Sequence, residues 1–94
     1  MVRMLMTINI SKGWETWSEM AKGLEPQMNE QGAKIIWAGA NPDETAVYVL
    51  AEMKDPSYVK TFGERPDIVA IREAGGADVA STTPITQIDE YFLG

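Results

Sequence analysis

From Val2 to Ile10 the chain alternates apolar and more polar side chains without a break. Val2, Met4, Met6, Ile8 and Ile10 fall on one side; Arg3, Leu5, Thr7 and Asn9 fall on the other. A period of two is the signature of a strand with one face in a core. Later strand-like segments lose that contrast, because Ile35, Trp37, Tyr48 and Leu50 make a second face apolar as well. Helices crossing a four-stranded sheet cover one face only. The other face needs a different cover, and a second copy of the chain is the simplest.

The rest of the chain supplies the helices. Trp14, Trp17, Met20, Ala21, Leu24 and Met28 recur at spacings of three and four, a stripe about 120° wide on a helix. Ser11 is the expected N-cap, Gly32 the stop, and Pro26 is expected to kink or break the helix after Leu24. Lys34–Asn41 and Thr45–Met53 read as an antiparallel hairpin around Asn41-Pro42-Asp43-Glu44, with Pro42 second in the turn. Asp55-Pro56 opens a further helix with Tyr58, Val59 and Phe62 on its buried side. A second piece, Pro66–Ala74, carries Ile68, Val69 and Ile71, and Gly75-Gly76 ends it. The last strand lies within Thr82–Phe92, with Pro84 marking an edge or a bulge. The order β-α-β-β-α-β predicts an α+β, ferredoxin-like sandwich: one domain over residues 1–94, an antiparallel sheet with its helices on one face, and the second face used for dimerisation.

Composition narrows the partners. The 94 residues carry a net charge of −6, and the eight basic residues form no cluster. Nucleic acid and anionic membrane surfaces both need such clusters, so neither is expected as a partner. Arg3, Thr7 and Asn9 interrupt the apolar start of the chain, and no run approaches a membrane span. A soluble, cytoplasmic protein is the expectation. There is neither histidine nor cysteine. This removes thiolate nucleophiles, disulfides and the usual transition-metal ligands. The pairs Asp43-Glu44 and Asp89-Glu90 read as solvated surface charge, so no metal and no cofactor are expected.

The second half carries Tyr58-Val59-Lys60-Thr61-Phe62, then Arg65-Pro66-Asp67-Ile68 and Ile71-Arg72-Glu73-Ala74-Gly75. With the element order and the aromatic and Met stripe of the first helix, this resembles the dimeric α/β-barrel superfamily. That group includes small antibiotic-biosynthesis-type monooxygenases and stress-related domains. The resemblance implies a homodimer with sheets packed face to face and a cavity in each subunit between sheet and helices. The chain departs from the haem-binding and histidine-using members, and no catalytic Asn–Trp–Tyr set maps onto it.

The expected cavity walls are Met4, Met6, Trp14, Trp17, Met20, Leu24, Met28 and Phe62, closed by Ile68 or Ile71. Six methionines in so short a chain suit an adaptable apolar site as well as a plain core. Arg3, Asn9, Tyr48 and Glu52, together with Trp14, are the candidates for holding a polar head group. Glu52 is the one carboxylate within an apolar strand; it reads either as an acid or base, or as an ion-pair partner of Arg3 across a dimer. The favoured function is a homodimeric domain that holds an apolar molecule, fatty-acid-like or aromatic, without catalysis. The alternatives are a cofactor-independent monooxygenase or isomerase, and a purely structural dimer.

Overall fold

The structure is a computed structural model describing residues 1–94. Strand β1 (Val2–Asn9) leads through the 18-residue α1 (Gly13–Glu30) to β2 (Lys34–Ala40) and β3 (Ala46–Met53). The short α2 (Tyr58–Thr61), α3 (Pro66–Ala74), a single 3-10 turn at Val79–Ser81 and β4 (Thr83–Gln87) complete the chain. The four strands form one antiparallel sheet in the order β2-β3-β1-β4. This is the ferredoxin-like arrangement, with the two-piece second helix expected from Gly63 and Pro66. No helix is long and apolar enough to cross a membrane.

Register assigns each side chain to a face, because residues paired across strands share one. Val2, Met4, Met6 and Ile8 pair with Met53, Ala51, Val49 and Val47. These eight lie under the helices, where all but the half-buried Val2 are buried in one cluster with Trp17. Arg3, Leu5, Thr7 and Asn9 pair with Glu52, Leu50, Tyr48 and Ala46 on the opposite face.

The two strands of the hairpin do not keep a simple alternation. Ile35 pairs with Ala51 and Trp37 with Leu50, so Ile36 is an extra residue in a bulge. Ile35 therefore packs against the core under the helices, while Trp37 stands on the open face and is 48% exposed. Ile35 and Trp37 do not share a face, as strict alternation would require; the inserted residue changes the parity between them. A second shift, at Ile85 in the edge strand β4, occurs beside Pro84, where proline marked an edge or bulge.

Two helix expectations are corrected. Pro26 does not break α1, which continues to Glu30. Pro26 and Lys22, whose carbonyl loses its partner, are both exposed, so water can take the freed acceptor. Leu24 is buried before the proline and Met28 packs on the core after it; packing outweighs local propensity. Ser11 is not the N-cap, since its hydroxyl donates to Gly76 O (3.3 Å). The cap comes from the hairpin turn instead: the Trp14 N–H donates to Glu44 Oε1 at 2.7 Å. Glu44 takes a left-handed φ of 56° to present that carboxylate. At the end of α3, a Cβ on Gly75 would sit 2.6 Å from Met20 Cβ, so glycine allows α3 to meet α1 there.

Candidate functional site

A cavity of about 110 Å³ lies between the sheet and the helices. Met6 and Ile8 of β1, Ile35 of β2, and Val49, Ala51 and Met53 of β3 form its floor. Trp17, Met20, Ala21, Leu24 and Met28 of α1 form one wall. Tyr58, Val59 and Phe62 of α2 and its end, with Ile68 of α3, form the other. The helical stripe and the strand alternation meet here because both bury their apolar side against the other. Leu24, Phe62 and the fully buried Ile68 make a small second cluster that locks α3 to α1.

Of the expected wall residues, Met6, Trp17, Met20, Leu24, Met28 and Phe62 line this cavity. Met4 is buried in the main core but does not reach it, and Trp14 stacks on Trp17 (centroids 5.6 Å apart) outside it. Ile68, not the partly exposed Ile71, closes the side. The polar candidates Arg3, Asn9, Tyr48 and Glu52 lie on the opposite face of the sheet, as their register dictates. They cannot reach a molecule in this cavity.

Arg3 and Glu52 meet within one chain: Arg3 Nε is 3.2 Å from Glu52 Oε2, with the side chains 31% and 17% exposed. The Arg3 Nε–H makes no aligned hydrogen bond, so the contact is an ion pair and not a directed bond. The Arg3 guanidinium also donates to Asp89 O (3.2 Å) and lies 5.3 Å from the Tyr91 ring. Glu52 thus has its partner without a second subunit, and the open pocket it borders with Met1, Asn29, Gly32, Ala33 and Lys34 is separate from the cavity under α1.

The polar groups of the cavity are different residues: Arg72, Thr82 and Tyr58. Arg72 is 9% exposed. Its Nη1 donates to Gly63 O (2.9 Å) and its Nη2 to Thr82 Oγ1 (2.6 Å). No carboxylate lies within 4.0 Å of it; the ion pairs of the chain are Arg3–Glu52, Lys22–Glu19 and Arg65–Asp67. Burial pushes the guanidinium below its usual range, and the charge of Glu64 offsets part of that. A Cβ at position 63 would come within 2.4 Å of Val59 O and 3.1 Å of Arg72 Nη1, so only glycine lets the α2–α3 turn close over the guanidinium. The Tyr58 hydroxyl is buried and has no hydrogen-bond partner. Its burial pushes the phenol upward, partly offset by the charge of Arg65, which keeps it a neutral donor at physiological pH. Its ring stacks on Phe62 (5.1 Å, 6° between planes). The Arg65 guanidinium lies 5.3 Å from the Phe62 ring and binds Asp67 through two bonds of 3.0 and 2.8 Å.

The sequence carried one sign of Arg72. It stands four residues after Ile68, so on a helix the two share a face. Tyr58 was expected on the buried side of its helix with Val59 and Phe62, but nothing marked its hydroxyl as a cavity group, and nothing marked Thr82.

Fifteen of the 18 lining residues are hydrophobic, and no carboxylate lies among them. The site can hold an apolar body and offer donors to it, but it lacks an evident proton acceptor. No group of histidine, cysteine or acidic side chains stands ready for a metal. No protein-family model, curated protein or solved structure matches the chain.

Proposed function

We propose that the protein is a homodimeric domain of the dimeric α/β-barrel type that holds a small apolar molecule between its sheet and its helices. The observation that carries this reading is the cavity under α1, about 110 Å³ and walled by Met, Leu, Trp and Phe side chains. A cavity of roughly 150 Å³ with similar walls accepts benzene. The volume, smaller than that, limits a guest to about a single ring or a compact branched aliphatic and is too small for a long acyl chain. Wall chemistry supports holding over reacting, since no side chain at the site is placed to accept a proton. The dimer part of the reading is supported by the open sheet face, where Trp37 and Tyr48 stand exposed beside Leu5 and Leu50.

Two measurements test it. Toluene titrated into the purified protein and followed by NMR should shift the methyl signals of Met6, Met20 and Met28. Absence of any shift at millimolar toluene would end the ligand reading. Light scattering at micromolar protein should give twice the mass of the chain; a monomer would remove the dimer.

A further inference from the structure

Resting on that holding function, we infer that the molecule it takes is a compact apolar acid, its carboxylate or equivalent oxyanion received by Arg72. The cavity holds a buried hydroxyl without a partner and a buried cation whose burial Glu64 offsets only in part, from beyond 4.0 Å. Arg72 is a cation nine-tenths buried with no carboxylate within 4.0 Å. Its two hydrogen bonds go to a carbonyl and a hydroxyl, neither of which carries charge. Taking a guanidinium out of water is costly unless an anion compensates it. The Tyr58 hydroxyl, also buried, has no partner at all. A buried polar group left unpaired costs stability, and native proteins rarely leave one so.

An oxyanion bound with its apolar body in the cavity supplies what is missing. The guanidinium presents five N–H donors in a planar fork that suits a carboxylate. Gly63 O and Thr82 Oγ1 hold that fork in place by its two Nη atoms, so little side-chain freedom remains to be lost on binding. The negative net charge of the protein acts against capture of anions in general. Selection then falls to a ligand whose ring gains from the apolar walls and whose head gains from Arg72. A bare inorganic anion gains only the second, and a hydrocarbon only the first.

The test uses benzoate, its neutral isostere benzamide, and toluene, each titrated into the full-length protein at pH 7 by calorimetry or NMR. Benzoate should bind at least about tenfold tighter than benzamide, the margin expected of a charge-assisted pair. In Arg72→Gln that preference should vanish, with benzoate losing far more affinity than toluene. Should Arg72→Gln fail to fold, Tyr58→Phe removes only an oxygen without a partner. It should lower benzoate affinity several-fold more than toluene affinity; benzoate affinity equal to that of wild type in Tyr58→Phe would count against the inference. Benzamide binding as tightly as benzoate, or a benzoate preference surviving in Arg72→Gln, overturns the acid while the holding function stands on toluene. If none of the three binds, the holding function falls and the acid falls with it.

Discussion

Three strands of one sheet present two faces that end in opposite states. Under the helices, Met4, Met6, Ile8, Val47, Val49, Ala51 and Met53 are buried around a small cavity. On the other side, Leu50 is buried between its neighbours while Trp37 and Tyr48 remain exposed, and the charged pair Arg3–Glu52 sits at one end. Both faces are rich in apolar atoms, so composition does not separate them. What separates them is where the polar groups go. On the closed face Arg72 is fixed to a backbone and a hydroxyl oxygen, and the Tyr58 hydroxyl is buried without a partner. The open face spreads its polar groups along its rim, where water can reach them.

Truncations on the two sides of the sheet measure that difference most directly. Ile68→Ala, at a position with 0% exposure, should cost about 2–5 kcal/mol in urea unfolding. Trp37→Ala should cost a dilute monomer well under that, because half the indole is already in water; equal losses would break the distinction. At micromolar protein, Trp37→Ala should also make the melting temperature less sensitive to protein concentration than in wild type, as expected when a dimer face is lost. Gly63→Ala should cost about 1–3 kcal/mol, since its Cβ meets Val59 backbone and the Arg72 guanidinium. Removal of the hairpin's cap by Glu44→Ala should cost about 1 kcal/mol; alanine meets the same left-handed φ as glutamate, so the loss reports the cap. On the open face, a double-mutant cycle between Arg3 and Glu52 should return no more than about 1 kcal/mol and shrink with added salt.

The smallest effect is acid-dependent and belongs to the rim of the helical side. Two hydrogen bonds from Arg65 hold the Asp67 carboxyl below its ordinary value near 3.8. Asp67 stabilises the fold fully above that unfolded value, and the contribution disappears as pH falls through the lower folded value. The stability gap between wild type and Asp67→Asn should therefore be constant above about pH 5 and close towards pH 2. A gap that widens with acid would contradict the pairing.

Legibility from sequence followed the same division. The alternation of β1 and the three-and-four spacing of α1 are repeated signals, and the structure realises both along their whole length. Single-residue events were not readable. Ile36 is one extra residue in β2, and it alone decides that Ile35 faces the helices and Trp37 does not. Pro26 read as a break because local propensity cannot see Leu24 and Met28 being held from outside the helix. For the candidate site, the apolar walls were legible because they follow periodicity. Its polar corner was not, because Arg72, Gly63 and Thr82 come together only when α3 packs against the 3-10 turn that precedes β4. Arg3 and Glu52 were correctly paired by type, but the partner proved to be the adjacent strand of the same chain.

The carboxylate at the start of α1 bears on the order in which this chain folds. Trp14 donates to a residue thirty positions further on. A ribosome-tethered chain ending before Glu44 therefore has the whole helix in hand but not the acceptor that closes its first turn. Excised as a peptide, residues 13–30 would lack that acceptor and fray more readily at the Trp14 end. The hairpin turn thus completes the first turn of the helix, so each element favours the other by about the worth of one cap.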